Sequence, residues 1–576
     1  MIDQLWLLIC AGLVLLMQAG FMCLESGLTR TKNNINVAVK NLSDFGLSVM
    51  LFWGIGYGLM FGLSQWGGIG GSNFFLGTTG NPEEAAFFLF QAMFCGTATT
   101  IISGAIAERL KFEAYIIIVI LVSGFIYPVF GHWAWNEAGW LRQLGFLDFA
   151  GSTVVHSMGA WVSLGTLLLV GAREGRFTPT GTQKIQGSNL PFAVLGALLL
   201  WVGWLGFNGG STFVFNDQVP QIITNTVLAG TAGMVTAMLL SQCYLKRSEV
   251  EEIINGSLAG LVAVTACCDL VSSPLAVVVG ITAAGVARWV SSLLKRYKID
   301  DAVDAIAVHG GAGLWGTLCV GLFGNVEARH SQLLVQLLGV AIALAWGTGL
   351  TWLILQLLQR WYPLRVSPEA EALGLNISEH GAKTDAYELF QVMDHQAATQ
   401  DLTLRVPVEP FTEIGHIATR YNQVIDALEQ NHRENAESLE ELYTITAMAV
   451  AAIEHQNFDP DLFASFGDRP DELGILGRSL QQLLQTINQQ TAALEQLQQQ
   501  QQTTLKAVLG EIFQQRFGEP SLTYQGQLPD LPSALTMAEI THMAIATTSF
   551  GQFLTQVQAT NIASGENQPV AADWND

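Results

Sequence analysis

The sequence predicts an all-α, polytopic membrane protein with eleven transmembrane helices in a 5+5 inverted repeat plus one. A helical, coiled-coil-forming tail follows them. Three observations carry this. The 576 residues are 50% hydrophobic and only 13% charged, about half the charged share of soluble domains. Residues 1–365 hold 18 Lys+Arg and 19 Asp+Glu, a net of −1, whereas residues 366–576 hold 8 and 29, a net of −21. Fourteen of the 15 Trp lie in the first part. A strongly acidic tail argues against nucleic acid or an anionic lipid surface as its partner.

Runs of roughly 18 or more mostly apolar residues mark membrane helices. Eleven occur, at 4–28, 42–64, 85–108, 112–131, 149–172, 190–211, 219–244, 251–269, 272–294, 302–324 and 332–360. The opening MIDQLWLLIC has an acid and no basic lead, so it reads as a first span that stays and not as a signal peptide. Small residues are frequent in the spans, as close helix packing in lipid requires. All seven Cys fall in the apolar part without a CxxC pair, and they read as core residues with no metal or disulfide role.

The loops set the orientation. Basic residues follow alternate spans: Arg30, Lys32 and Lys40; Arg109 and Lys111; Arg173, Arg176 and Lys184; Lys246 and Arg247; Lys295, Arg296 and Lys298. The intervening loops offer only Arg142 and Arg329. This places the N-terminus outside and the acidic tail in the cytoplasm of a cell (inner) membrane protein.

Two spans carry an ionisable residue at matched depth. In DFAGSTVVH, Asp148 precedes His156 by eight residues, and Asp301 precedes His309 by the same interval. Eight helical residues span about 12 Å, which in a layer of roughly 30 Å puts both imidazoles near the midplane. The two spans enter from opposite faces, one from each half of the repeat, as in transporters with a site at the repeat interface. A lone intramembrane His is as often a satisfied core group as a site. A mirrored pair favours a site, since neutral imidazoles line a narrow path with alternating donors and acceptors.

These motifs resemble the Amt/Mep ammonium transporter family. DFAGSTVVH (148–156) is similar to its fifth-helix signature and DAIAVHGGAG (304–313) to its second His motif. MQAGFMCLESGLTRTKN (17–33), FNGGS (207–211) and GLNISEHG (374–381) resemble its first helix, sixth-helix motif and cytoplasmic tail. The resemblance runs from residue 1 to about 387. It implies an outer vestibule in which Phe94, Trp135 and Ser211 recruit ammonium, with Asp148 as a buried acid that orders it. Aromatic faces and a hydroxyl suit a desolvating cation. Phe94 and Phe207 would form an aromatic gate and His156 and His309 the pore pair. Phe90 is grouped with the gate, although packing alone explains it. The loop after Trp135 departs from the family pattern, which leaves Trp133 as a rival for that position. The family further implies a homotrimer and a P-II-type regulator or separate signalling partner at the tail.

The tail repeats itself. Ile414, Ile417, Tyr421, Val424 and Leu428 keep the 3-4-3-4 spacing of a coiled-coil seam, and Leu473, Leu476, Leu480, Leu483 and Ile487 repeat it 59 residues later. Both copies resemble the second helix of HAMP signal-relay modules, the first (386–430) more closely than the second (445–490). A passive coiled-coil spacer is the bland alternative. The expected organisation is a membrane domain at 1–365 and a family-type tail at 366–387. HAMP-like units follow at 388–432 and 433–502, then a small helical module at 503–558 and a disordered end at 559–576. The function implied is ammonium transport across the cytoplasmic membrane by recruitment, deprotonation and passage along the histidine pair. The alternative is an ammonium receptor that signals through the tail with little flux. Nothing in the chain implies an enzyme or a cofactor.

Overall fold

The structure, a computed structural model, describes residues 1–383, 385–518, 525, 528–531 and 535–564. It divides into two compact units, the first ending at Tyr387 and the second beginning at Glu388.

The first unit is a bundle of apolar helices. Among the described residues, ten are long and apolar enough to cross a membrane, from Ile2–Leu28 to Arg329–Leu358. The eighth expected span differs. Residues 251–269 form a helix of 15 residues, Val250–Val264, followed by a turn. Its apolar run is long because the turn residues are buried too, so composition overstates the helix. The first span packs against Leu190–Gly210 through glycines. A Cβ on Gly27 would stand 2.6 Å from the Ala193 amide nitrogen, and one on Gly210 would stand 2.6 Å from Cys10 Cβ. Exposed Leu8, Leu198, Leu239 and Leu353 turn outward, as apolar side chains do where lipid replaces water.

Five stretches of π-helix interrupt these helices, among them Ser152–Ser157 and Ile306–Gly311. Such bulges often accompany functional sites, and here each of the named two carries one of the histidines.

The basic loops converge on one end of the bundle. Arg173 Nε and Nη2 donate to Asp300 at 2.8 and 3.0 Å, and Arg109 Nη1 lies 4.0 Å from the same carboxylate. Burial opposes the Asp300 charge. The hydrogen bonds and charge of Arg173, with the charge of Arg109, outweigh it and hold the carboxyl well below the usual carboxylate range. The segment after the last span docks on the same end. Lys32 Nζ donates to the carbonyls of Glu371 and Ala372 at 2.8 Å, and Asn36 N–H donates to Asn376 Oδ1 at 3.0 Å.

The second unit is helical. Asp385–Thr399, an extended connector and Glu413–Glu454 make one helix–connector–helix element. The far part of Glu413–Glu454, a connector and Glu472–Phe517 make a second. The internal repeat is visible in the caps, since Thr412 Oγ1 accepts from Gly415 N–H at 2.9 Å and Asp471 Oδ1 from Gly474 N–H at 3.0 Å. The expected seam divides. Ile414 and Tyr421 pack with Leu389 and Val406, while Ile417, Val424 and Leu428 stay half exposed. One edge of the seam is covered within the chain and the other stays exposed. The C-terminal module is helical among the described residues. Met537–Ala546 and Phe550–Ser564 join the end of Glu472–Phe517 around Leu509, Phe513, Ile540 and Phe553. The last helix runs five residues past 559, where the disordered end was expected, and 565–576 lie outside the described residues.

Asp300→Asn leaves a buried arginine cluster without its carboxylate, which costs about 3–5 kcal/mol. The loss is read as a lower melting temperature in detergent. A carboxyl held low stabilises above its unfolded pKa of about 3.9 and loses that contribution as pH falls further. The variant is therefore less stable throughout pH 5–8, and this group adds no pH dependence to the wild type in that range.

Candidate functional site

A cavity of about 860 Å³ opens at the end of the bundle opposite the basic loops, and Phe94, Trp135, Asp148 and Ser211 all line it. Asp148 stands at the start of the fifth span because that start needs an acceptor. Its Oδ2 accepts from Thr153 and Val154 N–H at 2.9 and 2.8 Å, and its Oδ1 accepts from Gly151 N–H at 3.2 Å. Helix starts leave amide hydrogens without helical partners, and here one carboxylate takes three. Gly151 permits the tight turn, with φ of +109°, and a Cβ there would stand 2.7 Å from Val155 Cγ2 and 3.1 Å from the Trp135 ring.

Trp135 is held by its Nε1–H, which donates to the Asp148 carbonyl at 2.7 Å. Its rival Trp133 donates to the Gly68 carbonyl at 2.7 Å and packs against Trp346, away from the cavity lining. Ser211 Oγ donates to the Phe207 carbonyl at 2.9 Å, which leaves its lone pairs free to accept.

Below the cavity the aromatic rings close. Phe94 and Phe207 stack with centroids 3.9 Å apart and planes 12° apart. Phe90 tilts against Phe94 at 4.6 Å, fully buried and outside the cavity lining, so it backs the stacked pair from behind. Phe207 lies 5.3 Å from the His156 ring. The two imidazoles are near-parallel, 5.2 Å between centroids, with Nδ1 facing Nδ1 at 3.2 Å. A neutral pair in that contact has one Nδ1 as donor and one as acceptor, so their Nε2 atoms take opposite roles. His156 Nε2 is buried and has no partner among the described residues. Past His309, a pocket of about 10 Å³ continues toward Phe21, Glu25 and Val303.

The structure thus brings together every residue expected at the site. It also adds three. Trp204 stacks on His156 at 5.0 Å and donates to Thr265 Oγ1 at 2.9 Å. Its signal was available, because it precedes Phe207 by three residues and so shares its helix face. Gln91 and Asp269 line the cavity as well. Among the described residues, no cluster of His, Cys, Asp and Glu has the arrangement of a metal site.

The fold defines a multi-pass membrane protein with a cavity between its helices. The family model for the Ammonium Transporter Family matches residues 5–385, and that for the HAMP domain matches residues 447–489. The chain belongs to the ammonium transporter family, whose members are not enzymes, and its tail carries a HAMP signal-transduction element. The HAMP match falls on the second of the two repeated units, the one whose resemblance is weaker by eye. A Synechocystis sp. protein named as a candidate ammonium transporter is 57% identical over 518 residues, 87% of this chain and 96% of its own length. Ammonium transporter Amt2 of Archaeoglobus fulgidus is 40% identical over 411 residues, 66% of this chain and 87% of its own. Among solved structures, one named Sensor Amt Protein matches with a TM-score of 0.64 at 40% identity, covering 66% of this chain and 98% of that one. Saccharomyces cerevisiae Mep2 matches with a TM-score of 0.60 at 26% identity, covering 64% and 88%.

Gly151→Ala forces a side chain into a left-handed turn against Trp135 and Val155, at a cost of about 1–3 kcal/mol. Gly145, at φ of +93° with nothing within 4 Å of its would-be Cβ, gives the comparison. Melting temperatures of the two alanine variants should rank Gly151→Ala clearly below Gly145→Ala.

Proposed function

We propose that this protein conducts ammonium across the cell membrane, from an outer vestibule to a cytoplasmic exit. The alternation of basic loops supports an outside N-terminus and a cytoplasmic tail. Ammonium is drawn to the Phe94 and Trp135 rings and donates to Ser211, while Asp148 orders the turn beneath. The cation sheds a proton, the Phe94–Phe207 stack parts, and ammonia crosses along His156 and His309. The observation that carries this reading is the buried Nε2 of His156, behind the closed rings and without a partner among the described residues. A buried polar atom without a partner is costly, and a small hydrogen-bonding solute supplies what it lacks. As in the family it resembles, the protein works as a homotrimer with a pore in each subunit. A P-II-type regulator or a separate signalling partner engages the tail.

The second reading is a receptor that binds ammonium and reports through the tail with little flux. Two observations favour it, the HAMP match at 447–489 and the likeness to the structure named Sensor Amt Protein.

The full-length chain in liposomes, given ammonium pulses, separates the two. Conduction predicts a saturating transient current, reduced at least about tenfold in His156→Ala, a loss of roughly 1.4 kcal/mol or more in passage. A chain ending near Tyr387 retains it. No current from a folded protein that still binds ammonium would establish the receptor.

A further inference from the structure

The vestibule holds acceptors that the recruitment scheme does not use. Asp269 sits in the turn between Val250–Val264 and Ser273–Arg296. Both sides of that turn are tied down. Asn225 Nδ2 donates to the carbonyls of Cys268 and Val271 at 2.9 and 2.8 Å, and Asn325 N–H donates to the Leu270 carbonyl at 2.9 Å. The same turn is hydrogen-bonded to the Asp148 loop, through Phe149 N–H to the Ala266 carbonyl at 3.2 Å and Ala150 N–H to the Thr265 carbonyl at 3.0 Å. The two acids therefore hang from adjoining, fixed backbone and line one cavity.

Their carboxylates differ in one respect. Asp148 is engaged by three backbone amides. Asp269 Oδ1 is buried and has no hydrogen-bond partner among the described residues. Arg142 lines the cavity too, but makes no ion pair with Asp269 among those residues. A second acceptor in the same cavity shares this state. Gln91 is 2% exposed, and its Oε1 also lacks a partner. Buried acceptors are normally satisfied, and a carboxylate without a counter-charge is costly to bury. A ligand that brings N–H donors and one positive charge suits Asp269, and Gln91 Oε1 offers it a second acceptor in the same cavity.

We propose that Asp269, assisted by Gln91, forms a further binding position in the vestibule for ammonium or its small alkyl derivatives. Here the cation is held by a carboxylate and an amide oxygen, whereas the aromatic pair and Ser211 offer ring faces and a hydroxyl. Asp269 thereby captures the cation and raises its local concentration above the Phe94–Phe207 stack. The inference rests on the vestibule being the cation's entrance.

The test uses the full-length protein with two readouts, transient current against ammonium concentration in liposomes and the ammonium-induced rise in melting temperature in detergent. Ligand binding to the folded state raises that temperature whether or not flux occurs. Asp269→Asn should move the half-saturating concentration up about tenfold, the equivalent of one lost charge-assisted contact, and shrink the thermal shift at a fixed ammonium concentration. Half-saturation and thermal shift at wild-type values in this variant would overturn the proposal. Should Asp269→Asn not fold, Gln91→Leu reads the same position, with a higher half-saturating concentration expected and an unchanged one overturning it. A wild type with neither current nor thermal response to ammonium would instead overturn the entrance itself.

Discussion

The constraint on which the membrane unit depends is that a buried amide hydrogen must find an acceptor. Both histidine-bearing segments begin with π-helical turns, and both turns are tied to an aspartate standing before them. Asp148 accepts from three amides at the first, and Asp301 Oδ2 accepts from Ile306 N–H at 2.6 Å at the second. Because buried backbone amides are normally paired, these bonds fix where each turn starts and therefore where each imidazole points. The 3.2 Å contact between Nδ1 atoms requires both starts to be right at once. The equal eight-residue intervals are the sequence's record of that requirement.

The second turn is also where the opposite end of the bundle makes contact with the pore. Asp301 holds the His309 turn, and its neighbour Asp300 holds Arg173. Arg109 Nη2 donates to the Asp300 carbonyl, and Glu371 Oε1 accepts from Glu174 N–H at 2.8 Å, one residue beyond Arg173. A short chain of buried, directional contacts thus connects the segment after the last span to the backbone beneath His309.

Much of this was legible in the chain, for identifiable reasons. Apolar runs report burial, so the helices could be located, and paired intervals report register, so His156 and His309 could be matched. Burial alone does not say where a helix stops, which is why the eighth span was expected to run to 269 although its helix ends at Val264. Composition also cannot say which acceptor meets which amide. Asp148 and Asp269 are alike as isolated acids in apolar text, yet three backbone amides engage both oxygens of Asp148 while Asp269 Oδ1 has no partner among the described residues. In the tail, the 3-4 spacing correctly marked an apolar stripe. It could not divide that stripe between Ile414 and Tyr421, covered within the chain, and Ile417 and Val424, left outward.

A conductor and a receptor need the same vestibule, so the site's capture chemistry does not separate them. What separates them is the aromatic stack. At 3.9 Å the Phe94 and Phe207 rings are in van der Waals contact, and nothing passes until one turns. Phe90 sits behind Phe94 and is itself fully buried. On the conduction reading, ring rotation has to displace packed side chains, and its cost would set the flux. A receptor requires no such motion, only that occupancy above the stack bias the helices below it. The histidine pair supports the proposed conduction, because a sensor that reads the vestibule alone would gain nothing from a buried Nε2 that has no partner among the described residues. That atom is costly to bury, and the cost makes physical sense where a solute travels past it.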